Sequence, residues 1–266
     1  MKIIMTKATA MIQVDRLELE QKVKEMYREV ALHPEVTYHF EMGRRLAEKL
    51  GYPRQLLDLI PSEAIQSFAG VGYHFDLADL KKGEYVVDLG SGSGMDAFFA
   101  ALQVGDGGEV IGIDMTPEQL AKANTLRDQY GFHQVVFHKS YIETLPVIPE
   151  SMDVVISNGV INLSGQKSSV FQEASRVLKP GGRLALSDIV TMRQLPESIC
   201  CNATLWAACI GGAMQKDDYY TLINNAGLKL VEEKVNPYEF LSKSAKGATR
   251  DYNIQSISIL AVKPRR

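Results

Sequence analysis

Cysteine, tryptophan and long apolar runs are all scarce in this chain. Its 266 residues include three cysteines and one tryptophan, and Cys200 and Cys201 are adjacent, with only Cys209 apart from them. That pattern builds neither a disulfide framework nor a Cys-x-x-Cys motif. No apolar run approaches the roughly 18 residues of a membrane span, and residues 1–7 lack the apolar core of a secretory signal. Charge is not of one sign either: 29 Lys and Arg stand against 32 Asp and Glu, for a net charge of −3. Such a balance gives no electrostatic footprint for nucleic acid. No pair of histidines or carboxylates has ligand spacing on one element, so no metal is expected. What remains is a cytoplasmic, reduced, soluble protein, with no nucleic-acid or membrane partner. A homodimer is left open.

The informative stretch is Val86-Val87-Asp88-Leu89-Gly90-Ser91-Gly92-Ser93-Gly94. An apolar strand ends on an acid, and a glycine run then opens a helix from Met95. Glycines at these positions permit a sharp turn and a close approach of backbone to ligand. The dinucleotide fingerprint needs a further glycine where Met95 stands. Amides at the helix start suit a carboxylate, while Asp88 in the same cleft suits an ammonium. Both groups on one ligand point to S-adenosylmethionine rather than a pyrophosphate. The next strand, Glu109-Val110-Ile111-Gly112-Ile113-Asp114, ends on a second acid twenty residues after Gly94. A doubly wound fold puts its ribose-binding carboxylate there.

Periodicity places helices at 13–32, 40–50, 55–60 and 62–68, with stop signals at Pro34 and at Gly51 followed by Pro53. Residues 1–80 carry no strand and read as an N-terminal helical cap on a domain spanning 81–266. From Tyr85 onward strands are expected at 85–89, 109–113, 135–138, 153–157, 183–188, 228–235 and 254–262. Helices are expected at 95–103, 117–130, 168–177, 197–210 and 216–225. This alternation predicts an α/β fold, a doubly wound, seven-stranded, mostly parallel sheet. Thr116-Pro117-Glu118-Gln119 reads as a capping box, and residues 241–250 as a long connection.

Taken together, Asp-Leu-Gly-Ser-Gly-Ser-Gly, Ile-Gly-Ile-Asp-Met-Thr and Leu-Lys-Pro-Gly-Gly-Arg resemble the class I S-adenosylmethionine-dependent methyltransferases over about residues 80–190. Ser157-Asn158-Gly159-Val160-Ile161-Asn162-Leu163-Ser164 and Leu205-Trp206-Ala207-Ala208-Cys209 resemble the arsenite methyltransferase branch. The resemblance implies that Asp88, Gly90, Ser91, Gly92 and Gly94 surround the methionine part of the cofactor. It implies that Asp114 holds the ribose, Met115 packs on the adenine, and Tyr141, Ile142 and Glu143 line the adenine pocket. Asn158 would face the transferring methyl, and Tyr27 would close over the cofactor. The branch also implies three metalloid-binding cysteines. Gly159 and Val71 stand at two of those positions, and only Cys209 is in register. Soft trivalent arsenic wants thiolates. On one helix Cys201 and Cys209 lie about 12 Å apart along the axis, too far to share an atom.

Other residues carry weaker signals. His74 and Asn158 are the candidate catalytic groups, His74 as a general base set against a partly exposed loop histidine. Tyr27, Trp206 and Cys209 are candidate substrate-binding residues, with core packing the competing role for Trp206 and Cys209. Asp188, at a strand's carboxyl end, is placed to touch the acceptor, whereas Asp153 reads as a strand-edge charge. The expected activity is methyl transfer from S-adenosylmethionine to a small-molecule acceptor, leaving S-adenosylhomocysteine. Arsenite methylation is the alternative, and a cofactor-binding protein without turnover a third. A nicotinamide oxidoreductase should carry a Tyr-x-x-x-Lys or comparable pair, which is missing.

Overall fold

The computed structural model describes residues 16–38, 40–196, 199, 210–241 and 243–265. Five helices come first: α1 (Arg16–Leu32), α2 (Gly43–Leu50), α3 (Arg54–Leu57), α4 (Ser62–Gln66) and α5 (Phe75–Ala78). Strands and helices then alternate as β1 (Tyr85–Leu89), α6 (Met95–Val104), β2 (Glu109–Asp114), α7 (Pro117–Tyr130), β3 (Val135–Lys139) and β4 (Met152–Asn158). A 3-10 turn (Ile161–Leu163), α8 (Lys167–Val177), β5 (Leu178–Thr191) and the two-residue β6 (Met214–Gln215) follow. The described chain ends with α9 (Lys216–Asn225), β7 (Lys229–Val235), α10 (Lys243–Tyr252) and β8 (Ile254–Val262). Among the described residues no helix is long and apolar enough to cross a membrane.

The sheet runs β3-β2-β1-β4-β5-β8-β7, with β6 paired to β5 off this path. Strands β1 to β5 pair in parallel, and β8 inserts antiparallel between β5 and β7. The expected seven-stranded, mostly parallel sheet is therefore present, with β6 as a short eighth strand. Side chains alternate across it. Val86, Val154 and Ile156 pack with α6, α7 and the cap, while Val87, Leu89 and Val155 pack with Phe171 and Tyr219 on the other face. Helix α6 is largely apolar because it lies between sheet and cap: Phe98 and Phe99 are fully buried, each stabilising by about 1.5–3 kcal/mol. Cap residues Leu46, Leu57, Ile65 and Phe68 belong to that same cluster. A third cluster, containing Val23, Val71, Leu163, Ile189, Ile210, Phe240 and Ile254, packs against Tyr27 and Met115.

Three local expectations need correction. Thr116 is the N-cap of α7, but the capping box does not form. Gln119 instead accepts from Ser93 Oγ and donates to the Tyr27 carbonyl at 2.7 Å, stronger claims on its amide than the helix end. Residues 241–250 are not simply a connection, since α10 occupies Lys243–Tyr252. Nor does β5 begin at 183: Leu178 already pairs with Met152, and the ladder resumes at Val154 and Arg183 after an irregularity. The helix expected at 197–210 lies almost wholly outside the described residues.

Candidate functional site

At the carboxyl end of β1 the chain turns through Gly90, Gly92 and Gly94, all at positive φ, into α6. A Cβ on Gly90 would sit 2.6 Å from Val160 Cγ2, so the turn is drawn against the segment after β4 with no room for a side chain. The loop amides are largely committed. Gly90 and Ser91 donate to the Ile113 carbonyl and Gly94 to the Ser91 carbonyl. Gly92 donates to Asp114 Oδ2 at 2.9 Å. Any carboxylate is therefore left to the amides from Ser93 into the first turn of α6.

The loop forms one wall of a cleft. Asp88, Gly90, Ser91, Gly92, Asp114, Met115, Tyr141, Ile142, Glu143, Asn158 and Tyr27 all line it. The sequence-expected cofactor residues thus come together, except that Gly94 sits behind the wall, where a Cβ would strike Phe137 and Phe98. Asp114 accepts the amides of Gly92 and, at 2.8 Å, of Thr116, so its carboxylate ties the glycine turn to the start of α7. Tyr141 is 45% exposed at the rim. Its hydroxyl donates to Glu20 at 2.6 Å and accepts from Lys24 at 2.9 Å, clasping α1 over the opening. Tyr27 stacks on Phe40 at 6.5 Å between ring centroids.

Charge on the wall is one-sided. Glu20, Asp88, Asp96, Asp114 and Glu143 contribute carboxylates, and among the described lining residues no Lys, Arg or His faces them. Glu20 is neutralised by Lys24, and Glu143 accepts a hydrogen bond from Ser164. Burial holds the Asp88 carboxyl well above the usual carboxylate range, and the charges of Asp96 and Asp114 add to it. Asp96 is pushed up to about 6 by burial, in spite of hydrogen bonds from Tyr52 and Asn158. Asp114 is raised for the same first cause, against the amides that it accepts. Asp88 Oδ2 and Ser91 Oγ are buried with no partner among the described residues. A wall of this kind fits a ligand with an ammonium and polar oxygens.

Asn158 belongs to the cleft, but its amide is already engaged. Oδ1 accepts the amides of Val71 and Gly72 at 2.8 and 3.3 Å. Nδ2 faces Tyr52 Oη, the Gly72 carbonyl and Asp96 Oδ2 at 3.0–3.1 Å. It clamps Val71 and Gly72 to the end of β4.

His74 requires a correction. It is neither a base on the cleft nor a partly exposed loop residue, because it is fully buried and faces away, between Phe75 and β5. Its Nδ1 lies 3.4 Å from Ser187 Oγ, and burial, with the Lys234 charge, lowers its proton affinity to about 3. Asp188 likewise touches no cleft. Fully buried, it accepts from Asn162 and from Tyr219 Oη at 2.7 Å. Asp153 accepts the Tyr85 amide and pairs with Lys179, anchoring a strand start. Trp206, Cys209, Cys200, Cys201 and His39 lie outside the described residues.

Asp96, Tyr52, Glu20 and Gln119 were missed. An acid two residues after the last glycine, in the first turn of an apolar helix, was the available signal for Asp96.

A family model described as Methyltransferase domain matches residues 80–227, and one described as protein-L-isoaspartate(D-aspartate) O-methyltransferase matches residues 7–141. An arsenite methyltransferase of Halobacterium salinarum is 39% identical over 224 residues, covering 83% of this chain and 56% of the relative. The Homo sapiens arsenite methyltransferase is 43% identical, over 54% of this chain and 40% of its own. The chain spans about half the length of the curated relatives it matches. An arsenic(III) S-adenosylmethionine methyltransferase from Chlamydomonas reinhardtii superposes with a TM-score of 0.66 at 33% identity, covering 80% of this chain and 73% of that one. Geranyl diphosphate C-methyltransferase of Streptomyces coelicolor shares the fold, with a TM-score of 0.68 at 16% identity.

Proposed function

The chain belongs to the S-adenosylmethionine-dependent methyltransferases, close to the arsenite methyltransferase branch, and on that premise we propose that it methylates a small, largely apolar acceptor. The observation that carries this reading is the wall of carboxylates without a cationic side chain among the described lining residues. A pyrophosphate would be repelled there, whereas a ligand with an ammonium and a sulfonium is attracted. In this reading Asp88 receives the ammonium, Asp114 the ribose hydroxyls, and Met115, Ile142 and Tyr141 enclose the adenine. When bound, S-adenosylmethionine supplies an electrophilic methyl on a positively charged sulfur. The chain's own part is to position and desolvate. Asn158 fixes Val71 and Gly72, and α1, clasped through Tyr141, excludes water.

The acceptor side is supported by the third apolar cluster, which joins Val71 and Leu163 to Tyr27 and Met115 beside the cleft. Arsenite is the second reading, favoured by the relatives. Against it, a Cβ on Gly159 would lie 3.2 Å from Val71 Cγ1. The two positions that the resemblance gives to cysteines are therefore neighbours here, and both are apolar.

The test is calorimetry with S-adenosylmethionine, S-adenosylhomocysteine and NAD, together with Asp114→Ala, followed by methyl-transfer assays on small acceptors and arsenite. Micromolar binding of the first two, lost in Asp114→Ala, supports the reading; preference for NAD sinks it. Arsenite turnover abolished by Cys209→Ser would replace the apolar acceptor with the metalloid.

A further inference from the structure

Asp88 and Asp96 come from different elements, the end of β1 and the first turn of α6, yet both line one wall of the cleft at 2% and 6% exposure. Their hydrogen bonding differs sharply. Asp96 uses both oxygens, Oδ1 for Tyr52 Oη at 2.7 Å and Oδ2 for Asn158 Nδ2 at 3.0 Å. Asp88 leaves Oδ2 buried with no partner among the described residues. Among those residues the other titratable groups facing the pair add no positive charge: Asp114 from the end of β2, Tyr52 from the turn between α2 and α3, and Tyr73. Lys234, beyond Tyr73, is held by Asp76.

Two buried carboxylates without a counter-ion cannot both stay ionised at low cost. We propose that Asp88 and Asp96 act as one carboxyl pair that holds a proton in the ligand-free protein and releases it to solvent when a ligand's ammonium seats against Asp88. The inference rests on the cofactor reading above and adds Asp96 as a second recognition residue. The ammonium keeps its own proton and supplies the missing positive charge, so the carboxyl proton leaves as the ligand binds. Geometry and charge agree: burial raises both groups, and the charge of Asp96 makes Asp88 harder to ionise.

The experiment is calorimetric titration of the full chain with S-adenosylmethionine and S-adenosylhomocysteine at pH 6.5, where α-amino groups (pKa ~7.7–8.0) stay protonated. Parallel runs in phosphate and Bis-Tris separate the buffer's protonation heat from binding. The expected result is release of close to one proton per ligand with both nucleosides, since both carry the ammonium. The Kd should weaken toward about tenfold per pH unit as the solution is acidified below the pair's titration. Asp88→Asn should abolish the release. Asp96→Asn should reduce it, because Asp88 then ionises more readily. Tyr52→Phe removes a donor to the Asp96 carboxylate and should move the release to higher pH, a readout that loss of packing alone does not give. Binding with less than ~0.2 proton released, or with release unchanged in Asp88→Asn, overturns the pair and leaves the cofactor assignment standing. No binding of either nucleoside by the unsubstituted chain overturns the cofactor assignment itself.

Discussion

A methyl group at residue 90 incurs two separable costs. In Gly90→Ala the new Cβ would lie 2.6 Å from Val160 Cγ2 and 2.7 Å from Val160 Cβ, on a backbone held at φ +71°. Holding an L-residue in the left-handed region costs about 1–2 kcal/mol, and overpacking of this severity about 1–3 kcal/mol. Valine cannot swing its branch point away, because both methyls leave from Cβ. The expected loss is therefore about 2–5 kcal/mol, a large part of the 5–15 kcal/mol that holds a typical domain together. The two shares can be told apart with Val160→Gly. That substitution removes the colliding Cβ together with both methyls but leaves φ at residue 90 unchanged, so the double variant should recover about 1–2 kcal/mol relative to the sum of the singles. Urea unfolding of the four proteins of this cycle, with nucleoside binding measured on each, gives the answer. Additivity within about 0.5 kcal/mol, or a Gly90→Ala protein as stable as its parent, would refute the packing argument.

Asp114→Asn keeps the shape but leaves one oxygen for the amides of Gly92 and Thr116, so calorimetry should read a loss of about 10- to 100-fold in S-adenosylmethionine affinity, equivalent to about 1.4–2.8 kcal/mol. Asp88 binds its proton more tightly folded than unfolded. Its contribution to stability is thus complete below the unfolded value near pH 4 and is lost as pH rises through the folded one. Asp88→Asn should consequently stabilise the ligand-free protein at pH 7 by on the order of 1–3 kcal/mol, and hardly at all at pH 4, as read from denaturant midpoints. His74 works in the opposite sense. With its proton affinity lowered to about 3, its contribution is present above pH ~6.5 and is lost as the solution is acidified through that window. His74→Gln should flatten this acid limb in a pH series of melts and keep methyl transfer within a few fold, because His74 is not on the cleft wall. A folded His74→Gln protein with transfer abolished would restore it as a catalytic group.

Much of the site was readable because its signals are local. An apolar run, an acid, a glycine run and a second strand ending on an acid lie within thirty consecutive residues, and turn chemistry ties them to one edge of a parallel sheet. What escaped depends on which way a side chain turns. His74 lies on a segment that does border the cleft, yet its ring points toward β5, a choice made by packing against Phe75 and Ser187. The capping box at Thr116 was a sound local reading, overruled when Ser93 and the Tyr27 carbonyl claimed Gln119 from distant parts of the chain. Tyr52 and Asp96 are 44 residues apart and meet only once the cap folds onto α6. Lysine, serine and glycine around residue 243 made α10 read as a loop, since its apolar residues are few: Ala245, Ala248 and Tyr252.

The insertion of β8 between β5 and β7 also sets an order of assembly on the ribosome. The edge of β5 from Arg183 to Thr191 has to wait for residues 254–262 to be made before its antiparallel partner exists. Until then a long, apolar strand edge stays open while the glycine turn and Asp114 are already made, and such an edge is a template for pairing with another nascent chain. The ligand cleft can therefore form early, and binding there would hold the growing sheet in register while its last strand is still being synthesised.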